Sequence, residues 1–158
     1  MIMKPPRPGE VAIAIPETGD AAVHFLGRIH TPWKTLAECP KTRDGRAAAE
    51  SVIEVDEPYA QGLKDVALFS HLIVLYWLDE APRGLIVQVP SHVGAPRGVF
   101  ALRSPARPNP IGHAVVEIVR VEGNRIVVRG LDARDRTPLI DIKPYFATTD
   151  AFPEARRP

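Results

Sequence analysis

The chain has 158 residues, 45% of them hydrophobic and 25% charged, with a formal net charge of +1 and one cysteine. That length supports one sizeable hydrophobic core, and the composition is that of an ordinary globular domain, not a disordered or fibrous chain. A single cysteine excludes an intramolecular disulfide and a cysteine-based zinc cluster, and near-neutrality means that any nucleic-acid contact must rest on a local basic patch.

Residues 1–22 carry Pro5, Pro6, Pro8 and Pro16 with little periodicity and read as an extended arm, with an edge strand over Val11 to Ile15. Met1 to Glu10 lacks an apolar stretch followed by a small-residue cleavage site, so no secretory leader is expected. No apolar run approaches bilayer-spanning length, and one cysteine fits a reducing, cytoplasmic setting. Val23 to His30 predicts the first strand, closed by Thr31-Pro32, and Trp33 to Gly45 a loop holding Lys34, Cys39, Lys41 and Arg43. Ser51 to Val55 alternates like a strand, and Glu57 to Val66 reads as a short helix with Pro58 in its first turn. Phe69 to Leu78 is nearly all apolar, the pattern of a strand buried on both faces, and ends at Asp79-Glu80. Gly84 to Val89 is a further strand.

Val99 to Leu102 reads as a short buried strand that breaks into Arg103, Ser104, Arg107 and Asn109, interleaved with Pro105, Pro108 and Pro110. Each proline fixes its own φ and pushes the preceding residue towards extended geometry, so the segment is a stiff loop displaying two guanidiniums, a hydroxyl and an amide. Such a loop suits an anion or a polar planar ligand. Ile111 to Val121 and Arg125 to Leu131 predict a hairpin across Glu122-Gly123-Asn124. A polar turn, Leu131 to Pro138, leads into a last strand, Leu139 to Tyr145, where Asp141, Lys143 and Tyr145 share one face by parity. Short strands, frequent turns and one or two short helices predict a mainly β fold, an antiparallel barrel. The expected division is an arm at 1–22, the barrel at 23–146 and a tail at 147–158.

The histidines show no metal-ligand spacing and no metal site is expected. There is no glycine-rich dinucleotide fingerprint, no P-loop and no hydrolase elbow around Ser104. Two polar clusters remain, Arg103 to Asn109 and Asp135 to Tyr145.

The runs Val-Phe-Ala-Leu-Arg-Ser-Pro-Ala-Arg-Pro-Asn-Pro-Ile-Gly (99–112) and Asp-Arg-Thr-Pro-Leu-Ile-Asp-Ile-Lys-Pro-Tyr (135–145) closely resemble the signatures of the TrmO-like (TsaA-like) family. Phe69-Ser70-His71-Leu72 and the Gly27-x-Ile29-x-Thr31-Pro32 opening are similar to it too, so the resemblance covers roughly Phe25 to Phe146. It implies a β-barrel, non-Rossmann methyltransferase that uses S-adenosyl-L-methionine, works as a homodimer, and methylates N6 of N6-threonylcarbamoyladenosine beside the tRNA anticodon, at position 37. Carried over residue by residue, the cofactor would be bound by Pro40, Lys41, Thr42, Asp79, Glu80, Arg103, Val115, Ala133, Arg134, Asp135 and Arg136. Arg107, Lys143 and Tyr145 are the candidates for tRNA phosphate and base contacts, and Asn109, Asp141 and Tyr145 for catalysis. Lys41-Thr42 stands where the family often has Arg-Gln, Leu102 where threonine is usual, and Arg136 where glycine is usual. Longer members carry a C-terminal domain after the last motif. Two alternatives stay open: a methyltransferase of this fold acting on a small molecule, and a binding module without turnover.

Overall fold

A computed structural model describes residues 5–156, leaving 1–4 of the expected arm and 157–158 of the tail outside the description. Among the described residues nine strands form: β1 Val11–Ala12, β2 Gly27–His30, β3 Glu50–Val55, β4 His71–Trp77, β5 Leu85–Gln88, β6 Arg97–Gly98, β7 Ile111–Glu122, β8 Arg125–Arg129 and β9 Thr137–Pro144. Two short helices accompany them, α1 Arg43–Ala47 and α2 Ala147–Asp150. Six strands close a barrel in the order β2-β3-β8-β7-β4-β9, with antiparallel pairing, as the alternating patterns predict. By compactness, Phe25–Tyr76 and residues 113–156 form one unit, while residues 5–24 and Trp77–Gly112 form another.

The barrel core is built from alternate residues: Ile29 on β2, Ile53 and Val55 on β3, Leu72 and Val74 on β4, Val116 on β7, Ile126 and Val128 on β8, and Leu139 on β9. Each such side chain contributes about 1.5–3 kcal/mol by leaving water. The first strand starts only at Gly27, because the preceding Val23 and Phe25 are exposed. Gly27 has φ +155°, and a Cβ there would lie 1.9 Å from the Glu54 carbonyl oxygen, so β2 and β3 meet more closely than any side chain permits. On β9, Leu139 faces Tyr76 while Asp141 faces Leu75, so Ile140 is an extra residue at an irregularity. Beyond it Ile142 pairs with buried Val74, and Asp141 and Lys143 pair with Leu75 and Ile73 on the outer face.

Several local expectations are corrected. Phe69 to Leu78 does not make a strand buried on both faces: β4 alternates between buried and half-buried residues, one face being core and the other outer wall. The expected helix over Glu57 to Val66 is a 3₁₀ helix, Glu57–Leu63, then a second, Val66–Leu68, separated by Asp65 at φ +68°. A left-handed residue cannot continue a helix. Val99 to Leu102 is not a strand either: Val99–Ala101 is a 3₁₀ turn closed by Leu102 N donating to Val99 O at 3.2 Å. Val99 is buried and Phe100 88% exposed, so one anchor, not a sheet face, explains that apolar run. Within Trp33 to Gly45 the loop gives way to α1 at Arg43, where Thr42 Oγ1 accepts from Gly45 N at 3.2 Å as the N-cap.

The other unit centres on β5, flanked antiparallel by β1 and β6. The extended arm is tied down there: Ile13 N donates to Gly84 O at 2.7 Å and Arg7 Nη2 to Val89 O at 3.1 Å.

Candidate functional site

In the barrel unit, the turn after β8 gathers most of the expected cofactor residues. Leu131 and Ala133 are buried anchors, and the polar residues between and beyond them bond to three separate segments. Asp135 Oδ1 accepts from Thr31 N at 3.2 Å and Oδ2 from Lys34 Nζ at 2.6 Å, with His30 Nδ1 3.7 Å from Oδ1. Asp135 N donates to Trp33 O and Arg136 N to Ile29 O, both at 2.7 Å, and Thr31 Oγ1 donates to Ala133 O at 2.9 Å. The hydrogen bond from Lys34 is the largest influence holding the Asp135 carboxyl below its usual range, against partial burial, with the Thr31 amide and the Lys34 and His30 charges acting the same way as Lys34.

Asp132 is a second junction. Its Oδ1 accepts from the buried Tyr76 hydroxyl at 2.7 Å, and its Oδ2 from Arg46 Nη2 at 2.8 Å. Arg46 Nε in turn donates to Pro40 O at 3.3 Å, and Gly130 N donates to Arg46 O at 3.2 Å. Pro40 is therefore linked through Arg46 to Asp132, the residue that precedes the Ala133-to-Arg136 turn, and Lys41 and Thr42 follow Pro40 in sequence. Cys39 lies in the same neighbourhood: burial pushes its thiol up, the Asp132 and Glu38 charges add to this, and Arg134 opposes them. A thiol so placed is a poor nucleophile at neutral pH.

Arg136 stands at φ +69°, the third position of a turn closed by Thr137 N donating to Arg134 O at 3.2 Å. A turn with positive φ at that position favours glycine, and this supplies a backbone reason for the glycine usual there in the resembling family. Its side chain is exposed. Val115 is on the outer wall of β7, 41% exposed between buried Ala114 and Val116.

The outer face of β9 carries Asp141 and Lys143, bonded to each other at 2.6 Å, as parity predicts. Asp141 Oδ1 also accepts from Ile142 N at 2.9 Å. Tyr145 lies just past β9; its amide donates to His71 O at 3.1 Å, and the two rings sit 6.3 Å apart.

Asp79, Glu80, Arg103, Arg107 and Asn109 belong to the other unit. Asp79, Glu80, Arg103 and Asn109 are exposed. Arg107 points back into its own loop, Nη2 donating to Val99 O at 2.7 Å and to Leu102 O at 3.1 Å. Arg83, which sequence reasoning passed over, donates through Nε to Pro108 O at 2.7 Å, reaches Asn109 Oδ1 at 3.5 Å and stacks over the Trp77 ring. Lys34, Arg46, Tyr76 and Asp132 were missed as well. Only Arg46 had a legible signal: Thr42 followed by Asp44 is an N-cap with an acidic first turn, which starts a helix and places Arg46 on it.

The sequence profile described as the tRNA-methyltransferase O N-terminal domain matches residues 28–151. Among related proteins, one from Rhizobium radiobacter, named "Probable S-adenosyl-L-methionine-binding protein VirR", is 49% identical over 87% of this chain and 78% of its own length. The tRNA (adenine(37)-N6)-methyltransferase of Mus musculus is 34% identical over 80% of this chain but only 29% of its own. The crystal structure of TrmO from Pseudomonas aeruginosa superposes with a TM-score of 0.73 at 30% identity, covering 87% of this chain and 61% of that one.

Proposed function

This chain belongs to the tRNA-methyltransferase O family, and on that premise we propose that it is an S-adenosyl-L-methionine-dependent methyltransferase of N6-threonylcarbamoyladenosine at tRNA position 37. The observation that carries the reading is the junction of residues 40–42 with the Ala133-to-Arg136 turn, where a family signature coincides with a dense, pre-organised polar wall. The residues fit adenosylmethionine: Lys41 and Thr42 are exposed, Val115 offers apolar surface, and the turn brings backbone groups and the side chains of Arg134 and Asp135. Pro40, Lys41, Thr42, Val115, Ala133, Arg134, Asp135 and Arg136 are the barrel unit's proposed contacts. When bound, the cofactor supplies an electrophilic methyl group on a sulfonium, so the protein has to contribute orientation, shielding from water and a proton acceptor.

The acceptor nitrogen has its lone pair drawn into the ring and the carbamoyl group, and it must lose its proton as the new N–C bond forms. Asn109 or Asp141 is the proposed group at N6–H, Asn109 as a hydrogen-bond acceptor only and Asp141 also as acceptor of the proton, and Tyr145 is proposed for orienting the base by stacking or through its hydroxyl. Lys143 is the proposed phosphate contact. Its exposed pair with Asp141 is worth only about 0–1 kcal/mol, so exchange for a phosphate costs little. Arg107 acts in loop architecture. A homodimer and a cytoplasmic location complete the proposal; among the described residues no helix is long and apolar enough to cross a membrane.

The test is transfer of labelled methyl from adenosylmethionine to tRNA prepared with and without the threonylcarbamoyl group, beside an arm without RNA. Transfer only to modified tRNA is expected. Transfer in a small-molecule extract without RNA would move the assignment to a small acceptor, and binding without turnover in any arm would make the chain a binding module.

A further inference from the structure

We infer that Arg46, Asp132 and Tyr76 form a polar strut that fixes the spacing of the two cofactor-binding segments without touching the cofactor. The inference rests on the functional reading above and adds three positioning residues that neither the signature runs nor the resemblance assigns.

The Asp132 carboxylate receives one donor from β4, the Tyr76 hydroxyl at 2.7 Å, and one from α1, Arg46 Nη2 at 2.8 Å. Tyr76 is 4% exposed, so its hydroxyl would be buried without this acceptor. The Asp132 and Arg46 side chains are 25% and 31% exposed, enclosed enough for a charge-assisted pair to be held in one geometry. Arg46 then carries the constraint on: its Nε holds Pro40 O at 3.3 Å, and its own carbonyl accepts from Gly130 N at 3.2 Å. Asp132 immediately precedes Ala133. Residues 40–42 are therefore tied at one end of this chain of bonds and residues 133–136 at the other, with the barrel wall as the fixed post. Both oxygens of Asp132 are committed inside the protein, which suits positioning and not ligand contact.

A strut of this kind sets affinity through geometry. Asp132→Asn removes the charge from the pair with Arg46, and losing a charge-assisted bond of this kind should weaken adenosylmethionine binding about tenfold. Tyr76→Phe keeps the ring in the core and removes one bond, so its effect should be smaller and in the same direction. Arg46→Lys should regain part of the affinity lost in Arg46→Ala, because an ammonium can replace one of the guanidinium bonds but not both.

The experiment is calorimetric titration of the full chain with adenosylmethionine in the absence of RNA, paired with transfer rates at saturating cofactor and with melting curves. Ile53→Val, a core change away from the strut, serves as a control for lost stability. Raised Kd values in the strut variants, with unchanged transfer rate at saturation and unchanged Kd in Ile53→Val, are expected. Wild-type affinity in both Asp132→Asn and Tyr76→Phe overturns the strut while leaving the methyltransferase reading intact. A wild-type chain that binds no adenosylmethionine overturns both.

Discussion

The turn at Ala133 to Arg136 and the loop at Arg103 to Asn109 are both signature segments, yet they are held by opposite charges. In the turn, carboxylates do the holding: Asp135 accepts from the Thr31 amide and Lys34, and Asp132 from Tyr76 and Arg46. In the loop, donors do it: Arg107 reaches the carbonyls of Val99 and Leu102, Arg83 that of Pro108, and the Gln88 amide that of Ala106. Proline explains the contrast. Pro105, Pro108 and Pro110 have no N–H to offer, so the segment around them has fewer backbone donors than carbonyls, and side-chain donors take up part of the surplus. The turn retains its amides and offers them to neighbouring carbonyls, while the carboxylates take up the remaining donors. Arg107 of this proline-rich loop is thus in the first place structural.

The largest expected effect breaks the loop side. Arg107→Ala removes the donor to the Leu102 carbonyl and one of the two donors to the Val99 carbonyl, and should lower unfolding free energy by about 1–2 kcal/mol in urea denaturation. Arg107→Lys should recover part of this; full wild-type stability in the alanine variant would remove the proline explanation. On the turn side, Asp135→Asn keeps an acceptor for the Thr31 amide but loses the charge facing Lys34, whose side chain is 71% exposed, so about 1 kcal/mol or less is expected. The turn side also responds to acid. Asp135 is depressed below an unfolded value of about 3.9, so its contribution is complete above that pH and is lost as pH falls through the lower folded value. Carboxyl-carbon NMR should place its midpoint below about 3.9.

Smaller and opposite in sign is Arg136→Gly. Relief of a left-handed residue, offset by glycine's greater unfolded-state entropy, should stabilise the chain by about 0.5 kcal/mol, read as a raised melting temperature. Ser51→Ala should have the smallest effect. Ser51 Oγ is buried with no hydrogen-bond partner, so its removal should leave the melting temperature unchanged or slightly higher.

Alternation made the barrel legible in the sequence: Ser51 to Val55, the hairpin of β7 and β8, and the shared outer face of Asp141 and Lys143 all appear where period two puts them. The Ile140 irregularity did not spoil that parity, because it lies before Asp141. What was not legible depended on partners distant in sequence. Val99 looks like a strand residue until β5 is seen to pair with Arg97–Gly98 instead, leaving Val99 to anchor a turn. Lys34 reads as a loop cation until Asp135, 101 residues later, is placed beside it. Tyr76 is one more apolar residue of β4 until its hydroxyl meets Asp132. Within the candidate site, the contact segments were found from signature runs, but the residues that bind those segments together carry no local pattern.

The most direct test of the proposed activity is where the methyl group lands. After incubation of the chain with adenosylmethionine and threonylcarbamoylated tRNA, the tRNA is digested and its nucleosides fragmented by mass spectrometry. A methyl group on N6 of threonylcarbamoyladenosine, absent when Asp141→Ala and Asn109→Ala are combined, is the expected result. A methyl group on any other nucleoside, or none at all from a chain that binds the cofactor, would contradict it.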